Sequence, residues 1–198
     1  PSPLEPRATL VEPADEGFSL YNPSQGALGQ RAVLAKVFSL PADQIRVISP
    51  DTGGGFGVRG EVHSEVCVAA FAAMALNKPI KYTGDRSEMF LSDNHGRDNL
   101  TEVTGSFDTD GNLLAVRIET TANLGAYCSN AGPFVPTMAG GRIVGSVYRI
   151  PYIHHSVRCV FTNTRPVGAY RGAGRPEACY VMERLLDAAA RQIGFNAI

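Results

Sequence analysis

Apolar and polar positions alternate through Ala8–Val11 and again through Phe18–Tyr21, and the polar run Glu12-Pro13-Ala14-Asp15-Glu16-Gly17 separates them. Period two on both sides of a turn-forming segment predicts a β-hairpin. From Gly26 the period changes. Leu28, Val33, Leu34, Val37 and Phe38 recur at helical spacing until Leu40-Pro41, where proline has no N–H to offer a continuing helix. Ile45, Val47 and Ile48 predict a short strand, after which Pro50-Asp51-Thr52 leads into Gly53-Gly54-Gly55-Phe56-Gly57.

Glu61–Leu76 is the most apolar helical run, with Val62, Val66, Ala69, Ala70, Ala73 and Leu76 on one side. Pro79–Tyr82 predicts a strand. Asp85-Arg86-Ser87-Glu88 has the cap chemistry of a short helix. Two long alternating runs, Asn99–Phe107 and Leu113–Leu124, flank Asp108-Thr109-Asp110-Gly111-Asn112, a strong hairpin turn. Asn130–Ile150 is rich in Gly and Pro and shows neither period. His155–Phe161 alternates as a strand, and a last helix starts near Pro176-Glu177, where an early proline and carboxylate suit a helix N-terminus, and runs to Gly194. Strands and helices in mixed order, without a repeat or a regular βαβ period, predict an α+β fold of two-layer mixed sheets with packed helices.

The bulk numbers narrow the partners. A chain of 198 residues that is 44% apolar and 19% charged can bury a real core. Its 18 Lys and Arg against 19 Asp and Glu leave a net charge of -1, so no basic field favours nucleic acid or an anionic lipid surface. The longest apolar stretch, Val66–Leu76, is too short to span a bilayer. Nothing at the start resembles a signal peptide. Cys67, Cys128, Cys159 and Cys179 lie far apart without a CxxC pair, which disfavours zinc or iron-sulfur ligation and predicts buried thiols in a reducing, cytoplasmic setting. The opening Pro1-Ser2-Pro3-Leu4-Glu5-Pro6, and a final helix with no closing element after it, predict a piece of a longer polypeptide.

Three segments carry candidate chemistry. Gly53–Gly57 lies between a strand and a helix, where glycines let backbone N–H groups approach a ligand closely. It matches neither a dinucleotide fingerprint nor a phosphate loop with its lysine, and a plain tight turn stands beside ligand contact as a reading. Gly168-Ala169-Tyr170-Arg171-Gly172-Ala173-Gly174-Arg175-Pro176 sets two arginines among glycines before a helix. Arginine there can donate a fork of hydrogen bonds to phosphate or carbonyl, or make a solvated salt bridge. Asn22-Pro23-Ser24-Gln25 brings an amide to a helix start, where capping alone accounts for Ser24. His63, His95, His154 and His155 lack metal-site spacing. Glu61 and Glu65 read as a solvated helix flank. No general base, nucleophile elbow or direct metal ligand stands out.

In order and spacing, Glu5-Pro6-Arg7, Ser24-Gln25, Gly54-Gly55-Phe56-Gly57, Ala169-Tyr170-Arg171-Gly172 and Met182-Glu183-Arg184-Leu185-Leu186-Asp187 resemble successive landmarks of the molybdenum-binding subunit of the molybdenum hydroxylases, the xanthine dehydrogenase, aldehyde oxidase and carbon monoxide dehydrogenase family. The resemblance covers nearly the whole chain. It implies a molybdenum cofactor-binding type of fold, with residues 1–198 as the first molybdopterin-binding subdomain. The chemistry implied is oxidation of a small aldehyde, N-heterocycle or related substrate with water as the oxygen source. The cofactor implied is molybdenum held by molybdopterin cytosine dinucleotide. Further partners implied are the remaining half of the subunit and separate iron-sulfur and FAD modules. By the same resemblance Gln25 would hydrogen-bond near the molybdenum oxo ligand or the pterin. Gly55, Phe56 and Gly57 would line the metal face through their backbone, and Arg171 and Gly172 would meet the cofactor from another loop.

Two departures qualify what is implied. Copper-dependent members place a copper-binding cysteine after Tyr-Arg; here that residue is Gly172, which has no sulfur, so no copper is expected. The catalytic glutamate of the family sits in a Gly-x-Gly-Glu context that is absent here, so the base is expected outside this segment, and residues 1–198 alone are expected to be inactive. Half of a two-part cradle should also leave apolar surface for the missing half. The missing glutamate keeps open a rival, a noncatalytic assembly or interaction domain that retains the fold without cofactor. A nucleotide-binding module built on the triple glycine is a further alternative.

Overall fold

The computed structural model describes residues 1–195 and divides into two compact units, Pro1–Asp93 and Asn94 onward. The first unit contains β1 (Ala8–Pro13), β2 (Phe18–Tyr21), α1 (Ala27–Phe38), β3 (Ile45–Ile48), α2 (Ser64–Leu76), β4 (Ile80–Thr83) and α3 (Arg86–Ser92). Short 3-10 turns at Ala42–Gln44 and Val58–Gly60 interrupt the sequence of elements.

Its sheet runs in the order β3-β2-β1-β4 and is mixed: β1 is antiparallel to β2 and β4, whereas β2 and β3 are parallel. Antiparallel strands can join by a tight turn, but the parallel pair needs a crossover, and α1 supplies it. Period two puts Val11, Phe18 and Leu20 on one face, where α1 adds Leu34 and α2 adds Val66, Ala69, Ala70 and Ala73. The alanines leave little bulk between α2 and the strands, and the helix packs on β1, β2 and β4. Phe18 and Phe38 meet edge to face with ring centroids 5.5 Å apart, a geometry that suits their quadrupoles.

Polar groups also tie this layer together. Gln30 of α1 is buried, accepts from Asn22 Nδ2 at 2.9 Å and donates to the Glu61 carbonyl at 3.1 Å. Arg7, just before β1, is 5% exposed. Its guanidinium donates to the carboxylates of Glu65 and Asp93 and to Ser92 Oγ at 2.6 Å. The arginine thereby joins the entry of β1, the first turn of α2 and the end of α3. Burial pushes the Glu65 carboxyl up, but the backbone hydrogen bond at the helix start and Arg7 together hold it below its ordinary value.

At α3 the expected cap is present in full. Glu88 N–H donates to Asp85 Oδ1 at 2.8 Å, and Asp85 N–H donates to Glu88 Oε2 at 2.9 Å. Two orphan donors of the helix start are thus satisfied reciprocally. Asp85→Ala should lower the unfolding free energy by about 1 kcal/mol, read as a lower denaturant midpoint at unchanged slope; an unaltered midpoint would mean that water replaces the cap without loss.

The second unit contains β5 (Asn99–Phe107), β6 (Leu113–Asn123), a π-helical turn at Val135–Ala139, β7 (Tyr152–Val160) and α4 (Arg175–Ile193). Its sheet has the order β5-β6-β7, antiparallel between β5 and β6 and parallel between β6 and β7. The hairpin turn is built on Asp108, whose Oδ1 accepts from the backbone of Asp110 at 3.0 Å and of Asn112 at 2.7 Å. Val116 and Ile118 of β6 meet Val144 and Met182 to form the core, with α4 packed against β5. The fold is α+β, with two mixed sheets and packed helices, as the patterning predicts.

Several local expectations are corrected. The helix expected from Glu61 begins at Ser64, because Val58–Gly60 winds into a 3-10 turn and Glu61 is extended. His63 Nε2 donates to the Val58 carbonyl at 2.8 Å and holds that turn in place. Glu65 is accordingly not a solvated flank but the partner of Arg7. Leu76 is 61% exposed, and Val68 and Phe71 of α2 are exposed as well, so α2 is apolar on more than the side facing its sheet. The thiols are not core residues: Cys128 and Cys179 are exposed and Cys67 and Cys159 half-buried, all four free. β7 starts at Tyr152, three residues before the expected start, since pairing with β6 extends it. Among the described residues no helix is long and apolar enough to cross a membrane, and no three His, Cys, Asp or Glu side chains cluster as metal ligands.

Candidate functional site

The six residues singled out from the sequence fall in two places, four in the first unit and two in the second. In the first, Gln25 stands just ahead of α1, and its side chain lies across Gly55. Its Oε1 accepts from the Gly57 N–H at 2.8 Å, while its own backbone N–H donates to the Arg59 carbonyl at 3.0 Å. A Cβ on Gly55 would stand 2.6 Å from Gln25 Cδ and 2.7 Å from Oε1. Glycine at 55 is therefore what lets the amide rest on the loop.

Backbone conformation marks the same stretch. Phe56 sits at φ 55 between Gly54 and Gly57, both at φ 107. A bulky residue in the left-handed region costs about 1–3 kcal/mol and persists where its surroundings impose it. Here those surroundings include Glu5 and Arg59. Glu5 N–H donates to the Gly53 carbonyl at 3.1 Å, and Gly53 N–H returns a bond to Glu5 Oε2 at 2.9 Å. Arg59 donates from Nη2 to the Glu5 carbonyl at 2.5 Å and lies 3.7 Å from its carboxylate.

Arg59 is 3% exposed, and its buried Nε finds no acceptor among the described residues. Burial is the largest influence on it and lowers its pKa, against the opposing pull of Glu5. An arginine remains protonated regardless, so a positive charge is fixed beneath the loop. Spacing alone marks neither Glu5 nor Arg59 as part of the site. Their pairing spans more than fifty residues and leaves no periodic trace, although Glu5 lies within a landmark of the resemblance.

The second place is the loop before α4. Gly172, Ala173 and Gly174 follow one another at φ 93, 43 and 87. A Cβ on Gly172 would meet Pro176 Cγ at 2.6 Å, and one on Gly174 would meet the Val135 carbonyl oxygen at 2.5 Å. Both glycines are thus required by angle and by space. Arg171 is exposed at the start of this run, and its carbonyl accepts from Arg97 Nη2.

The donor set of the first loop fits an anionic, carbonyl-bearing cofactor. The N–H groups of Gly54 and Gly55 and the Nε2 amide of exposed Gln25 have no acceptor among the described residues. Such donors on a loop over a buried guanidinium favour negative charge. Taken by itself, the second loop carries an arginine whose fork suits phosphate or a ring carbonyl.

Comparison with known proteins gives the family. A sequence profile described as the molybdopterin cofactor-binding domain matches residues 1–198. The gamma subunit of the 6-hydroxypseudooxynicotine dehydrogenase complex of Paenarthrobacter nicotinovorans is 38% identical over 98% of this chain and 24% of its own length. The carbon monoxide dehydrogenase large chain of Hydrogenophaga pseudoflava is 31% identical over 99% of this chain and 25% of its own. Among solved structures, quinoline 2-oxidoreductase from Pseudomonas putida 86 superposes with a TM-score of 0.92 at 31% identity, over 98% of this chain and 25% of that one. The chain thus spans about a quarter of the length of these relatives. With a family match across all its residues, the chain belongs to the molybdopterin cofactor-binding domain family, as a region of the molybdenum-binding large subunit found in xanthine and carbon monoxide dehydrogenases.

Proposed function

We propose that residues 1–198 supply cofactor-holding loops to a molybdenum hydroxylase that oxidises a small aldehyde, N-heterocycle or related compound with water as the oxygen source. The observation that carries this is the loop at Gly53–Gly57, strained at Phe56, clamped by Gln25 and rich in donors without partners. Quinoline, named in one structural relative, is an N-heterocycle. The bound molybdenum cofactor would supply the two-electron redox chemistry, in its cytosine dinucleotide form and without copper, since Gly172 offers no thiolate.

The residues of this chain bind and orient. Gln25 presents an amide donor, Gly55 and Gly57 keep the backbone close, and Phe56 covers one side with an apolar ring. Arg171 donates to an anionic or carbonyl oxygen, and Gly172 removes the bulk that would block it. The general base and the rest of the cofactor grip belong to the remainder of the subunit. That remainder also covers exposed apolar side chains such as Val68 and Phe71 of α2. Electrons leave through iron-sulfur and FAD partners in the cytoplasm.

Metal analysis and cofactor extraction on the complete subunit, coexpressed with its neighbours, test the proposal. About one molybdenum per subunit, a pterin cytosine dinucleotide and no copper support it; a folded complex without molybdenum overturns it in favour of a noncatalytic assembly role. In the same complex Arg171→Ala should lower molybdenum content about tenfold, the loss expected for one charge-assisted hydrogen bond. Unchanged content would remove Arg171 from the cradle.

A further inference from the structure

The segment Asn94–Arg97 lies as a strap against the chain leading into the Arg171 loop. His95 N–H donates to the Pro166 carbonyl at 3.0 Å, and Gly168 N–H donates to the His95 carbonyl at 2.8 Å. Gly96 comes so near that a Cβ there would stand 2.6 Å from Tyr170 Cβ. At the end of the strap Arg97 takes a left-handed backbone, φ 60, a conformation uncommon for a residue with a long side chain.

From this position its guanidinium makes three contacts. The carbon at its centre lies 4.1 Å from the centroid of the Tyr170 ring. Nη2 donates to the Arg171 carbonyl. Nε stands 3.8 Å from Glu177 Oε2, a buried carboxylate oxygen that makes no hydrogen bond among the described residues. Tyr170 and Arg171 precede the run of three left-handed residues, and Glu177 follows it in the first turn of α4. Arg97 therefore holds the loop on both sides of its strained stretch.

The geometry points to Arg97 as the positioning residue of the Arg171–Gly172 loop: by fixing the Arg171 backbone it fixes the reach of the Arg171 side chain toward an anionic cofactor. The inference rests on the cofactor reading above. A planar guanidinium can stack on a ring while its edge serves a carbonyl and a carboxylate; the single ammonium of lysine cannot do all three at once.

The test uses the complete subunit with its partners and reads molybdenum per folded subunit together with the Mo(V) electron paramagnetic resonance signal of the loaded fraction. Arg97→Lys keeps the charge and should lower molybdenum content about tenfold while shifting the signal, an effect of the size seen when groups supporting a site are removed. Tyr170→Phe keeps the ring and should behave as wild type, whereas Tyr170→Leu should follow Arg97→Lys. Because Arg97 acts through Arg171, the double variant Arg97→Lys with Arg171→Ala should hold no less molybdenum than Arg171→Ala alone. A loaded wild type beside an Arg97→Lys variant with normal content and signal, or losses that multiply in the double variant, overturns the inference by itself. A wild type without molybdenum overturns the cofactor reading, and this one with it.

Discussion

Replacing Arg7 by methionine should lower the unfolding free energy at neutral pH by about 3–5 kcal/mol, the usual loss when one partner of a buried charge network is removed. Arg7 is 5% exposed and faces two carboxylates, Glu65 and Asp93, that have little access to water. Methionine fills much of the space of the arginine stem but leaves both negative charges unpaired. The effect should depend on pH with a definite sign. In the wild type Glu65 is held below its ordinary value of 4.5, so its share of stability is present above that pH and lost as pH falls through the lower folded value. Without Arg7, burial is opposed only by the backbone hydrogen bond at the helix start and by nearby His63, so the carboxyl rises from its wild-type value and is protonated more readily. The gap between variant and wild type should therefore narrow below about pH 4.5. Denaturant titrations at a series of pH values measure it; a neutral-pH gap under about 1 kcal/mol, or one independent of pH, would show that the network contributes little.

Gly55→Ala should separate stability from cofactor holding. The added methyl would collide with Gln25 Cδ, Cγ and Oε1, but Gln25 is exposed and can swing outward. Gly55 does not have a left-handed φ, so alanine is tolerated there by the backbone. The unfolding free energy should change by less than about 1 kcal/mol. In the complete subunit the displaced amide no longer accepts from Gly57, the loop loses its clamp, and molybdenum content should fall about tenfold. Gly29→Ala in α1, where a Cβ meets nothing within 4 Å, is the matched control. Normal content in Gly55→Ala would show that the clamp plays no part in holding the cofactor.

What could be read from the sequence was what local chemistry determines. The Asp85–Glu88 cap and the Asp108 turn are made of groups within a few residues of each other, and the structure shows both. The β1–β2 and β5–β6 hairpins follow from alternation on both sides of a turn. In α1 the helix was legible but its buried face was not. Leu28 and Val37 are exposed while Gln30 is buried, because hydrogen bonds to Asn22 and Glu61 make an amide suitable there. Helical spacing extends α2 back to Glu61, three residues before its start, because it cannot report a carbonyl held by His63. Parallel pairing of β6 with β7 crosses the Gly- and Pro-rich stretch at 130–150, where neither period exists. In the site, glycines and Gln25 were visible as a motif, whereas Arg59 and Arg97 act through contacts distant in the chain.

The place of β1 inside its sheet bears on how this protein is made. Its hairpin partner β2 follows within a few residues, but its other neighbour β4 and the carboxylate of Asp93, 86 residues beyond Arg7, come much later. On the ribosome the segment carrying β1 must therefore wait for β4 to pair with it and for Asp93 to meet Arg7. Only when Asp93 has cleared the exit tunnel can the first unit close, and until then the nascent chain presents the kind of open strand edge that chaperones shield.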